Sequence, residues 1–107
     1  MPVGLEERVD LAETHLVDVF MDERTVRTLL SLDDDAAMAL AASAREGSLG
    51  LSDLGLERQD VEDAVIRLGT PSLAPQADAV RAAYMTLAAN RERVLDAVAG
   101  AAPGMRP

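Results

Sequence analysis

Apolar side chains recur at helical spacing along most of the chain, and the longest such pattern lies near its C-terminal end. Over residues 75–99, PQADAVRAAYMTLAANRERVLDAVA, the apolar positions are three, four or seven residues apart: Ala77, Val80, Tyr84, Leu87, Val94 and Val98. Residues with this spacing share one face of an α-helix. The pattern predicts one long helix over about 75–99, roughly 37 Å in length at 1.5 Å per residue.

Arg91 lies on this apolar stripe, between Leu87 and Val94, where a strict pattern would place an aliphatic side chain. Its stem can cover apolar surface while the guanidinium reaches water. Alternatively, the guanidinium pairs with a carboxylate across an interface or from the acidic first helix. A charged residue in an apolar seam tends to fix register and partner, so this second interpretation makes Arg91 an interface residue.

A second amphipathic pattern covers Leu5 to about Phe20. Its apolar stripe consists of Leu5, Val9, Ala12, Leu16, Val19 and Phe20, and most of its acidic residues lie opposite: Glu6, Glu7, Asp10 and Glu13. Acidic side chains in the first turns favour a helix because they complement its dipole. We expect this acidic helix to pack along the long C-terminal one.

The intervening residues predict shorter helices with recognisable ends. Asp22 suits the N-cap of a short second helix or a bend that continues the first one. Asp33 to Asp35 suit the start of an alanine-rich third helix that Glu46 and Gly47 end. The segment 47–56 alternates glycine and leucine, which indicates an ordered connector with a short turn near residues 52–54. A further helix ends at Gly69, and Pro75 fits the first turn of the long helix.

These patterns predict an all-α fold, a single small bundle of four to five helices organised around the long C-terminal helix. We expect one all-helical domain over residues 1–100 and a flexible tail over 101–107, where glycine and proline are frequent. The chain has no cysteine, which excludes disulfides, thiolate metal sites and cysteine nucleophiles. It also has neither an apolar run of about 18 residues nor a recognisable signal peptide, so we expect a cytoplasmic location and no membrane insertion.

The formal net charge of −9 is concentrated at the N-terminal end, where residues 1–35 contain ten acidic residues and three arginines. Phosphate backbones and anionic membranes attract basic surfaces, so direct nucleic-acid binding is not expected. A basic protein partner suits this charge better. Acidic surfaces are also typical of halophilic proteins, which is a second explanation for the same balance.

Candidate metal and catalytic groups have simpler structural interpretations. The triplet Asp33–Asp35 lacks the alternating spacing of a calcium loop and is better explained as helix capping. His15 shares a helix face with Asp18 and Asp22, which would allow a metal site, but a hydrogen bond to Asp18 is the simpler expectation. No catalytic, cofactor-binding or metal-binding residue is set apart by the sequence, so no cofactor is predicted and a non-enzymatic protein is favoured.

Three classes of function remain. The favoured one is a non-enzymatic protein-protein interaction or regulatory module, homodimeric through the long helix, whose acidic N-terminal helix faces a basic partner. Its predicted interface residues are Val80, Tyr84, Leu87, Arg91, Val94, Glu6, Asp10 and Glu13. The second class is a small helical enzyme or enzyme subunit with a carboxylate site. The third is an acidic helix-turn-helix-like regulator, suggested by the outline of residues 46–69, or a nucleic-acid mimic.

Overall fold

The computed structural model describes residues 4–69 and 73–101. Within these ranges it contains six α-helices, one short 3-10 helix and no strand, which confirms the predicted all-α class. The elements are α1 (Leu5–Met21), α2 (Glu23–Leu30), α3 (Asp34–Arg45), the 3-10 turn (Ser52–Leu54), α4 (Arg58–Leu68), α5 (Pro75–Ala89) and α6 (Arg91–Ala101). Ala101 thus belongs to α6, and the rest of the predicted tail, 102–107, lies outside the described residues.

Aspartates determine where α2 and α3 begin. Asp22 leaves the helical conformation, and its carboxylate accepts hydrogen bonds from the backbone N–H groups of Arg24 and Thr25. The Asp33 carboxylate accepts from the N–H of Ala36 at 2.8 Å. Because each carboxylate satisfies donors that the first helical turn leaves unpaired, both residues are N-caps, as the sequence predicts.

The core is centred on α1. This helix packs along α5, as expected, and also contacts α2, α3 and α4. Its buried stripe contains Val9, Ala12, Leu16, Val19 and Phe20, of which Phe20 is the largest fully buried side chain. The prediction that the C-terminal helix organises the fold is therefore wrong in this respect, because the helix with contacts to most of the others is α1.

The predicted long helix over 75–99 is not continuous. The chain leaves the helical conformation at Asn90, with φ −122° and ψ 23°, and a separate helix begins at Arg91. The Asn90 side chain competes with the helical ladder, since its Nδ2 donates to the carbonyl of Thr86 at 2.9 Å and its Oδ1 accepts from Arg93 at 2.7 Å. This break also raises the number of α-helices in the described residues above the four or five predicted.

The break directs α6 onto the 3-10 turn. Val94 and Val98 are buried in the same apolar cluster as Leu54 and Leu56, which flank Gly55. Gly55 has φ +72°, and a Cβ atom there would lie 2.8 Å from the backbone oxygen of Arg93. Only glycine gives both the left-handed conformation and this close approach of the two backbones.

Candidate functional site

One side of α1 gathers all five of its carboxylates: Glu6, Glu7, Asp10, Glu13 and Asp18. At 100° per residue they lie within about 140° of the helix circumference. We call this set the acidic face. Four of its members are exposed, and Glu13 is half-buried. The opposite side of α1 is the apolar stripe in the core, so packing holds the acidic face toward solvent.

Arg58, at the start of α4, reaches across to the acidic face. Its Nη1 lies 2.8 Å from both the Asp10 and the Glu13 carboxylates, and its Nη2 donates to the backbone oxygen of Glu6 at 3.3 Å. The hydrogen bond to Asp10 and the attraction of Glu13 and Asp10 raise the pKa of Arg58 above its ordinary value, although burial opposes the shift. Arg58 therefore joins α4 to α1 and neutralises part of the acidic face.

The rest of the acidic face has no arginine within ion-pair distance in the described residues. Glu6 and Glu7 form no ion pair within residues 4–69 and 73–101, and Asp18 lies 3.7 Å from Nδ1 of His15, a separation too long for a hydrogen bond. The exposed carboxylates of Glu6, Glu7 and Asp18 thus remain available to an external cation.

A second polar cluster surrounds the helix break. The Asp60 carboxylate on α4 lies 2.6 Å from Nη2 of Arg93 and accepts the backbone N–H of Glu57 at 2.8 Å. Burial by itself would raise the pKa of Asp60, but the hydrogen bonds from Arg93 and Glu57 and the charge of Arg93 outweigh it, so the pKa is lowered. Asp60 consequently stays ionised and ties α6 to the start of α4.

Beside this cluster is a surface cleft of about 240 Å³ between α4 and α5. Its polar lining comes from Asp60, Asp63, Arg67, Thr86 and Asn90. Most of these groups already have partners within the chain: Asp60 binds Arg93, Asp63 accepts from Gln59, and the Thr86 hydroxyl donates to the carbonyl of Ala82. The cleft therefore presents few free groups to a ligand.

The residues predicted for the partner interface do not share one surface. Leu87 and Val94, at 3% and 0% exposure, are covered by the chain's own helices. Val80 is half-buried, whereas Tyr84 is 41% exposed and Arg91 is exposed. By contrast, Glu6, Asp10 and Glu13 do lie together, on the acidic face.

Within the described part of the chain, Arg91 does not pair with a carboxylate of the acidic first helix, and a pairing across an interface stays a prediction. Its Nη2 donates to the hydroxyl of Ser31 at 3.3 Å, and no ion pair to it is found in the described part of the chain. Arg91 is the first residue of α6, and its side chain lies at the surface.

The hydrogen-bond partner of His15 also differs from the expected one. Its Nε2 lies 2.8 Å from Oε1 of Gln76 on α5, so the hydrogen bond runs between helices rather than to Asp18. Asp33 caps α3 and Asp34 pairs with Arg27 at 2.6 Å, which accounts for two residues of the triplet. Among the residues that the structure describes, no group of three or more histidine, cysteine or acidic side chains is arranged to hold a metal ion.

Arg58 and Asp60 are not among the residues that the sequence predicts for a site. Glu57 and Asp60 are three residues apart at the start of α4 and form a capping box, a spacing that the sequence does contain. The partners of Arg58 on α1 lie more than forty residues away in sequence, at separations that no local pattern reveals.

The fold and the acidic face together define a small all-α protein with one acidic helix surface. No helix in residues 4–69 or 73–101 has the length and apolar character required to cross a bilayer. Comparisons with protein-family models, with curated proteins and with solved structures found no significant match.

Proposed function

We propose that this protein is a non-enzymatic interaction module whose acidic face binds a basic segment of another protein. The observation that carries the proposal is the set of five carboxylates on one side of α1, three of which have no cationic partner within hydrogen-bonding distance. From Glu6 to Asp18 the face is about 18 Å long, which matches three turns of a partner helix. Complementary charge of this kind favours fast and selective association.

The acidic face also has a fixed position, which favours binding. The apolar stripe of α1 is buried against α5 and α4, and Arg58 forms ion pairs with two of the carboxylates. A partner would therefore meet carboxylates whose backbone is already ordered, so association costs less conformational entropy. Lysine or arginine side chains at helical spacing are the complementary groups.

The alternative functions have less support. Asp60, the carboxylate beside the helix break, is neutralised by Arg93, which leaves it poorly suited to proton transfer. In α4, the helix that would enter DNA in a helix-turn-helix, Arg58 is engaged with α1 and Arg67 is the remaining arginine. A side-by-side homodimer through Leu87 and Val94 would need both residues at the surface, where they are not.

The test is a binding titration with a fluorescein-labelled helical peptide that carries lysines at three- and four-residue spacing. A variant with Glu6→Gln, Glu7→Gln and Asp18→Asn removes three charges and leaves the Arg58 contacts intact. We expect its affinity to fall about tenfold in fluorescence anisotropy, since each exposed pair contributes up to about 1 kcal/mol. Raising the salt concentration should weaken wild-type binding steeply.

The matched control carries Glu46→Gln, Glu92→Gln and Asp96→Asn, which removes the same number of exposed charges from the end of α3 and from α6. It should bind the peptide with an affinity within about threefold of the wild type, because its acidic face is unchanged. Equal losses in the two variants would show that net charge alone attracts the peptide, and the proposal would be rejected.

A further inference from the structure

Helix α6 is attached to the rest of the protein mainly at one place. Its main contact is the 3-10 turn, with a small additional contact to α5 next to the break. The attachment consists of Val94 and Val98 in the apolar cluster, the close approach at Gly55, and the ion pair between Arg93 and Asp60. Away from it, at the first residue of α6, Arg91 donates one hydrogen bond of 3.3 Å to the hydroxyl of Ser31. Helix α6 is therefore a separate arm that docks on one surface, which we call the α6 dock: Leu54, Gly55, Leu56 and Asp60.

The connection between α5 and α6 is a single residue. The helical ladder of α5 ends with the Asn90 N–H donating to Thr86, and that of α6 begins with the Val94 N–H donating to the Asn90 carbonyl. The apolar spacing nevertheless continues across this point, from Val80 through Leu87 to Val94 and beyond. The same residues can thus form either two helices or one continuous helix, depending on the conformation of Asn90.

We propose that α6 is an exchangeable arm and that its second binding site is the α6 dock of another copy of this chain. When Asn90 becomes helical, α5 and α6 form one helix, and Val94 and Val98 leave their own dock. A second copy in the same state has an empty dock of the same shape and charge. Reciprocal exchange then rebuilds both sets of contacts between the two chains, as in a domain-swapped dimer with two-fold symmetry.

This exchange preserves the contacts at the dock. The buried valines, the Gly55 approach and the Asp60–Arg93 ion pair are the same whether α6 comes from the same chain or from the partner. The difference between the two states is therefore concentrated around the break, at Asn90 and at the hydrogen bond between Arg91 and Ser31. There, two side-chain hydrogen bonds stabilise the break, and the straight helix gains a continuous backbone ladder.

The ion pair provides a test of exchange. Asp60→Arg and Arg93→Asp are prepared as two single variants, each of which places like charges at its own dock. When the two are unfolded and refolded together, reciprocal exchange brings the arginine introduced in one variant opposite the aspartate introduced in the other. The unaltered Arg93 and Asp60 meet at the second dock, so both docks of the heterodimer regain opposite charges. We expect native mass spectrometry to show a heterodimer in the mixture and little dimer for either variant refolded alone.

The double variant Asp60→Arg/Arg93→Asp is the control, because its opposite charges meet within one chain. It should refold to the oligomeric state of the wild type, although it lacks the capping hydrogen bond that Asp60 accepts from Glu57. A second experiment uses the variant Asn90→Ala, which removes both side-chain hydrogen bonds of the break and favours a continuous helix. We expect its dimerisation constant, measured by light scattering after size-exclusion chromatography, to rise by about tenfold or more. Glu92→Ala, at an exposed position of α6, should leave that constant unchanged.

A mixture of the single variants that refolds only to monomers would overturn the proposal, and so would an Asn90→Ala protein that stays monomeric at high concentration. If Asn90→Ala dimerises while the mixture forms no heterodimer, the dimer uses another surface and arm exchange is rejected. The proposal is independent of the acidic face, since neither experiment involves a basic partner.

Discussion

Gly55 offers a sharp test of how α6 is held. It and Gly47 both have left-handed backbone conformations, with φ +72° and +74°. Their surroundings differ: a Cβ atom at Gly47 would have no atom within 4 Å, whereas one at Gly55 would meet the Arg93 backbone oxygen at 2.8 Å and the Ala97 Cβ at 3.0 Å. Comparing an alanine substitution at Gly55 with one at Gly47 therefore separates the energetic cost of the left-handed backbone from the cost of close packing.

The expected magnitudes follow from these distances. Alanine in the left-handed conformation costs about 1–2 kcal/mol, and this cost applies to both positions. At position 55 the methyl group must also displace a helix backbone by a few tenths of an ångström, and overpacking of this kind costs about 1–3 kcal/mol. We therefore expect Gly55→Ala to lower the free energy of unfolding by about 2–5 kcal/mol and Gly47→Ala by about 1–2 kcal/mol.

The assay is urea denaturation followed by far-ultraviolet circular dichroism, which reports on all the helices. With a slope of about 2 kcal/mol per molar urea, a difference of about 2 kcal/mol between the variants separates their midpoints by about 1 M. Because both substitutions reduce the freedom of the unfolded chain equally, that effect cancels in the comparison. If the two variants have the same midpoint, the close approach of α6 to Gly55 does not contribute to stability and the reasoning fails.

Two further predictions concern single carboxylates. The folded state lowers the pKa of Asp60, so its stabilising effect is complete above the pKa of the unfolded chain, about 3.9, and is lost as pH falls through the lower folded value. The difference in unfolding free energy between wild type and Asp60→Asn should therefore be largest near neutral pH and should shrink toward zero in acid. Urea midpoints measured from neutral to strongly acidic pH check this expectation. A difference that stays constant with pH would contradict it. Asp33→Ala removes the N-cap of α3 and should cost about 1 kcal/mol in thermal or urea unfolding. Asp35→Ala, at an exposed position in the same turn, should cost clearly less, and equal losses would refute the capping role.

Local patterns in the sequence were enough to predict most element boundaries. The N-caps at Asp22 and Asp33, the end of α4 at Gly69 and the start of α5 at Pro75 all depend on side chains that bind or constrain the backbone within one helical turn. The acidic face was predictable for the same reason, because helical periodicity alone places its carboxylates on one side of α1. Such interactions join residues within one or two helical turns, so they form regardless of the surface on which the helix packs.

The tertiary structure decided where the C-terminal helices go. Apolar periodicity over 75–99 is compatible with both a straight and a broken helix, since Val94 and Val98 lie on an apolar face in either case. The break is stabilised by partners distant in sequence: the leucines on either side of Gly55 bury the valines, and Asp60 pairs with Arg93. Arg58 likewise acquires its role from acidic residues on α1 that only folding brings within 2.8 Å. Periodicity determines which face of a helix is apolar, but the surface that covers the face depends on the packing of the whole chain.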